Sequence, residues 1–146
     1  MNQNITGFNG VISHISLTND HSYMAVTTYG DKVYLFRHTG TGFSFFQSFS
    51  YSSANGERAF LSDDHEYLVM PIDGYYFGNV SEAHIYNYSD YNKKYEPHMM
   101  YTFYKTHTHY ISLTEDGYFM GFSGTDRTMT VSNPLDVNKY KVEHIF

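Results

Sequence analysis

The chain of 146 residues is 41% hydrophobic and 19% aromatic (16 Tyr, 12 Phe, no Trp), which is enough apolar material for a substantial core and excludes a disordered segment. It has no cysteine, which excludes disulfides, thiolate metal sites and cysteine nucleophiles and favours a reducing, cytoplasmic compartment. Its formal net charge of −6, with Lys93-Lys94 as the only adjacent basic pair, argues against nucleic acid and anionic membrane as partners.

Short runs rich in aromatic and β-branched residues, separated by Gly, Asp and Asn, predict strands in groups of four. The first group is 11–17, 23–28, 32–38 and 43–50, with turns at Gly30-Asp31 and Gly40-Thr41-Gly42. The second is 58–61, 67–72, 83–88 and 95–103. Pro97 lies inside the last of these and predicts an edge strand or an interruption, because proline donates no ladder bond. The third is 107–113, 118–123, 128–132 and 140–146. No long run carries apolar residues at helical spacing.

One phrase recurs in each group: Leu17-Thr18-Asn19-Asp20-His21-Ser22-Tyr23-Met24, Leu61-Ser62-Asp63-Asp64-His65-Glu66-Tyr67-Leu68 and Leu113-Thr114-Glu115-Asp116-Gly117-Tyr118-Phe119-Met120. Each reads as two strands joined by a tight turn. The opening leucines stand 44 and 52 residues apart, a period that points to a repeat array. The second strands, Tyr23-Met24-Ala25-Val26, Tyr67-Leu68-Val69-Met70 and Tyr118-Phe119-Met120, are apolar on both faces, as expected for sheets stacked between similar sheets. A two-sheet sandwich with coincidental self-similarity is the competing fold.

Residues 16–26, followed by Gly30-Asp31-Lys32-Val33-Tyr34-Leu35-Phe36, resemble the blade pattern of WD-repeat-like β-propellers: a strand ending in a Ser-x-Asp-Gly type turn, a second strand, then a third after a Gly-Asp turn. The likeness extends over all three groups, in a divergent form without the Trp-Asp and Gly-His signatures. It implies an all-β, propeller-type fold of three four-stranded antiparallel blades, at about 8–52, 53–104 and 105–146, acting as a platform for protein contacts. Propellers close with more blades than three. The expectation is therefore self-association through the apolar faces of the end blades, as a dimer closing a six-bladed ring or as an open filament. A piece of a longer polypeptide is the alternative.

The candidate sites follow from the same pattern. Asp20, Asp64 and Asp116 recur once per repeat, which marks them as turn residues that bond nearby amides rather than as catalysts. Asp63-Asp64 sits in the same turn and is not an acid/base couple. His107-x-His109 offers two imidazoles on one strand without a third ligand at metal spacing, so no metal and no cofactor is expected. The extra length of the second repeat falls around residues 73–79, where Tyr75, Tyr76 and Phe77 form a glycine-bounded aromatic cluster, the expected partner-facing patch. Phosphate-cradling, nucleophile-elbow and zinc-protease motifs are missing. The function expected is a non-enzymatic scaffold for protein–protein contact. A lectin-like, glycan-binding propeller is the alternative, and an enzyme using Glu57, Arg58 and His109 in a central channel ranks behind both. Asn4, Asn79 and Asn87 stand in glycosylation acceptor patterns.

Overall fold

The computed structural model describes residues 3–29, 32–50, 58–72, 80–104, 108–113, 120–124, 129–132 and 140–141, with side-chain surroundings for 3–29, 32–50, 58–70 and 82–100. Among these residues the regular elements are all strands. The first sheet is an antiparallel meander of β1 (Val11–Leu17), β2 (Tyr23–Tyr29), β3 (Lys32–His38) and β4 (Phe43–Ser50). The second repeats that order with β5 (Phe60–Leu61), β6 (Tyr67–Ile72), β7 (Val80–Ser89) and β8 (Lys94–Tyr104). Further on, β9 (Thr108–Leu113), β10 (Met120–Gly124), β11 (Met129–Ser132) and β12 (Tyr140–Lys141) pair in the same sequence.

The register repeats with the phrase. Leu17 lies opposite Met24, Leu61 opposite Leu68 and Leu113 opposite Met120. The irregularities repeat too. A bulge after Ile12 leaves Ser13 unpaired in β1, and one at the matching place in β9 leaves His109 unpaired. A second bulge lies across Leu35/Phe36 in the first sheet and across the equivalent Ile85/Tyr86 in the second, where it leaves Phe46 and His98 without partners. Bulges re-aim side chains and increase local twist. Pro97 sits beside the second bulge on β8, an edge strand, where a missing N–H is tolerated.

The strand expectations need correction in the second sheet. β5 is two residues long rather than four. On its open edge, the side away from β6, Ala59 N–H donates to Thr27 Oγ1 at 3.0 Å and Leu61 N–H to Ser16 Oγ at 3.4 Å, which ties this edge to the first sheet. β7 and β8 run longer than expected because they keep pairing past the end of β6, out to Val80 opposite Tyr104, while the last β6–β7 pair is Ile72 with Glu82. Residues 118–119 and 142–146, also expected in strands, lie outside the described residues.

The sheets stack face to face, with β1 and β2 of the first against β5, and β5 and β6 of the second against β9. Between the first two sheets, Tyr23, Ala25, Val33 and Leu35 meet Ala59, Leu61, Leu68, Met70 and Tyr95 in one buried cluster. On the other face of the second sheet, Tyr67, Val69, Ala83 and Ile85 form a separate cluster with Phe60 and Met99 packed against it. The second sheet is thus buried on both faces, which is why β6 reads as continuously apolar. Each fully buried Leu, Val or Met here contributes about 1.5–3 kcal/mol of transfer free energy.

Candidate functional site: an uncovered sheet face

Two of the three turn phrases are described, and they share one hydrogen-bond plan. Thr18 O accepts from His21 N–H, and Ser62 O from His65 N–H, both at 2.9 Å. Asp20 Oδ1 accepts from the Thr18 hydroxyl (2.7 Å), the Ser22 N–H (2.9 Å) and the Ser22 hydroxyl (2.7 Å). Asp64 Oδ1 accepts from the Ser62 hydroxyl (2.5 Å) and the Glu66 N–H (3.1 Å). The hydroxyl of Thr18 or Ser62 then accepts from the N–H of Tyr23 or Tyr67, so hydroxyl and carboxylate together replace missing ladder bonds. The Thr18 hydroxyl and the Ser22 donors hold the Asp20 carboxyl down at about 2. Asp63 does not pair with Asp64; it reaches the preceding turn, where Asn19 donates to it from both its backbone and its side chain. Asp116 lies outside the described residues.

His21 and His65 both hold positive φ, 58° and 55°. The two rings have different surroundings. His65 stacks on Tyr23 with centroids 5.0 Å apart and meets Tyr88 edge-on, and its carbonyl accepts from the Tyr95 hydroxyl at 2.7 Å. Tyr23, Tyr88 and Tyr95 pack edge to face around it. Burial pushes the Tyr23 phenol up to about 12 and Tyr95 higher still, so both stay neutral hydrogen-bonding groups.

The registers assign each side chain of the first sheet a counterpart in the second. The face of the second sheet that receives the first carries Leu61, Leu68 and Met70, whose counterparts are Leu17, Met24 and Val26. Those three lie on the outer face of the first sheet, turned away from the second. The two faces are built alike: Val26 and its counterpart Met70 are both buried, and the β1 edge is where the cover differs. Leu61 is 6% exposed and Leu17 46%; Ala59 is 0% exposed and its counterpart Ile15 49%. Ile12 and Phe45 are exposed on the same outer face, Phe45 at 61%.

The β3–β4 half of this outer face is crossed by the segment that precedes β1. Gln3 Nε2 donates to the Phe43 carbonyl at 2.7 Å, and Phe43 N–H donates to Gln3 Oε1 at 2.8 Å. Phe8 packs edge-on against Tyr34 and Phe36, with centroids at 5.3 and 5.9 Å. Asn9 N–H donates to the Tyr34 hydroxyl at 2.9 Å. Gly42 leaves room for the Gln3 carboxamide, which any Cβ at position 42 would strike. On the β1 half, Ile12, Ile15 and Leu17 stay half exposed.

Tyr75, Tyr76 and Phe77 fall outside the described residues. What is described is their anchorage: nine residues separate the paired Ile72 and Glu82, against three between Thr28 and Lys32, and Val80 and Ser81 continue as a two-stranded ribbon with β8. Glu57 and His107 also lie outside the described residues, and the backbone of His109 stands at the β9 bulge. Among the described residues no group of three His, Asp or Glu is placed to hold a metal ion, and no helix is long and apolar enough to cross a membrane. A shallow groove of about 430 Å³ beside the β7–β8 bulge is lined by His84, Pro97, His98 and Met100 among others. His84 there is engaged by Glu82 at 2.7 Å.

Sequence reasoning found the turns and expected apolar end faces, but it missed Gln3, Phe8 and Gln47. Their work lies in single contacts between distant segments, which no local pattern marks. No protein-family model and no curated protein matches this sequence.

Proposed function

We propose that the chain is a non-enzymatic, propeller-type module of three blades that self-associates and serves as a platform for protein contacts. The observation that carries this reading is the pairing of like faces. Leu61, Leu68 and Met70 accept a neighbouring sheet; on the matching face of the first sheet Val26 is buried, while Leu17 and Ile15 on β1 stay 46% and 49% exposed. The stack runs head to tail: the Tyr23/Ala25 side of one sheet meets the Leu68/Met70 side of the next, and the Tyr67/Val69 side continues the order. The complement of the half-exposed face is therefore a sheet of this same kind, and a second copy of the chain supplies one. A head-to-tail contact closes a ring, here a six-bladed dimer, or runs on as a filament. Tyr75, Tyr76 and Phe77, in the connection between β6 and β7, are the proposed contact for a different protein.

Sedimentation velocity across on the order of 1 μM to 1 mM tests the reading. Mass should rise with concentration, and Leu17→Asp, which puts a charge on the half-exposed face, should abolish the rise while leaving the fold intact. A monodisperse monomer throughout, both for the intact chain and for a chain lacking residues 1–9, would overturn it.

A further inference from the structure

The segment before β1 does on the outer face what a neighbouring sheet does on the covered one. In the stack, Gln47 of β4 clamps the second sheet: its Nε2 donates to the Tyr95 carbonyl and its Oε1 accepts from the Tyr95 N–H, both at 2.9 Å. Tyr95 lies opposite Tyr88 as Phe43 lies opposite His38, so Phe43 is the counterpart of Tyr95. Gln3 makes the same two-bond clamp on Phe43. Two residues beyond Gln47, Phe49 packs on Tyr86 with centroids 4.4 Å apart. Tyr86 lies opposite Leu68 as Phe36 lies opposite Met24, and Phe36 is the ring that Phe8 covers. Amide clamp and aromatic cover thus recur at equivalent receptor positions, donated once by a strand of the stack and once by an irregular segment.

We propose that residues 3–10 imitate the outer strand of a neighbouring sheet and compete with a second copy of the chain for the outer face of the first sheet. The proposal rests on the self-association reading and specifies how that association is regulated. The clamp uses the only carbonyl and N–H that Phe43 has, so an arriving β4-like strand and Gln3 cannot both hold them in this way. The mimic is partial: it engages Tyr34, Phe36 and Phe43 and leaves Phe45 on β4, and Ile15 and Leu17 on β1, exposed as the first foothold for the incoming sheet. Displacement then proceeds from the exposed residues to the engaged ones, and the released segment becomes accessible only in the assembled state.

The test compares the intact chain with one lacking residues 1–9, by sedimentation velocity over the same concentration series, with far-ultraviolet circular dichroism and thermal melting to establish that both are folded. Removal should tighten self-association by at least about tenfold. A synthetic peptide of residues 1–10 added in trans should reverse the gain, and a peptide carrying Gln3→Ala and Phe8→Ala should not. The full-length chain with those same two substitutions should show the same direction of change without loss of any backbone segment. If intact and truncated chains associate equally, or truncation weakens association, the competition is overturned while self-association stands. If neither associates, both fall.

Discussion

Two sheet faces with the same design meet different neighbours in this molecule, and the contrast separates what the repeat encodes from what its surroundings add. On the second sheet, Leu61, Leu68 and Met70 disappear under the first sheet. On the first, Leu17 and Ile15 remain half exposed, and a non-repeating segment supplies an amide clamp and one aromatic ring. The repeat dictates a receptor in both places, but only in one does the described chain provide a full occupant. Under the proposed function, this half-exposed apolar edge is where a second copy docks.

The largest expected effect breaks the contrast at its leucines. Leu61→Ala should cost about 2–4 kcal/mol, through lost transfer energy and the cavity left behind. Leu17→Ala, at the equivalent position, should cost less than about 1 kcal/mol in dilute solution, because water already reaches it. Urea unfolding of both variants at low concentration measures the difference, and equal costs would mean that the two faces are equally covered. Next come the clamps. Gln47→Ala leaves the N–H and carbonyl of the buried Tyr95 without these partners and should cost about 1–3 kcal/mol. Gln3→Ala leaves the equivalent groups of Phe43 within reach of water and should cost about 0.5 kcal/mol or less. The same unfolding curves give both values.

A smaller effect distinguishes the two turns. Glycine relieves the left-handed backbone at either histidine, so His21→Gly should stabilise by about 0.5–1 kcal/mol. His65→Gly gains the same relief but loses the stack on Tyr23, a contact of about 0.5–1.5 kcal/mol, and should come out near neutral. Thermal midpoints of the two variants decide it. The third phrase already carries glycine at this position, Gly117.

The smallest effect is a pH dependence across the first contact between sheets. His14 of β1 packs against Phe60 with centroids 5.1 Å apart, and burial, then the Arg58 cation, lower its pKa from the ordinary 6.5. Between the lowered value and 6.5 the unfolded chain binds the proton and the folded chain does not. Stability is therefore complete above about pH 6.5 and declines as pH falls through the lowered value. His14→Phe should flatten that decline, as read from unfolding midpoints between pH 7 and pH 5. The half-exposed ring makes the change modest.

Much of this was legible in the chain because turn chemistry is local. A hydroxyl, an aspartate two residues later and a left-handed residue after that fix a hairpin whatever surrounds it, and Thr18-Asn19-Asp20-His21 and Ser62-Asp63-Asp64-His65 say so directly. Apolar runs on both faces of β2 and β6 likewise announced stacked sheets. The tie between the edge of β5 and the first sheet was not legible, because it depends on the hydroxyls of Thr27 and Ser16, 32 and 45 residues from the donors they meet. The matched bulges were hidden for a related reason: Phe46 and His98 hold equivalent places with different side chains, and backbone geometry alone relates them. Gln3 was opaque for the most general reason. Its partner lies 40 residues away, and a lone glutamine in an irregular segment carries no periodicity.

The most direct test of the central claim uses the missing cysteines. Leu17→Cys and Leu61→Cys introduce single thiols on the two equivalent faces, and their alkylation rates are followed as protein concentration rises from on the order of 1 μM to 1 mM. The thiol at position 61 should react slowly throughout. The thiol at position 17 should react fast when dilute and become protected as copies associate. A rate at position 17 that stays constant over the whole range, fast or slow, would contradict the account.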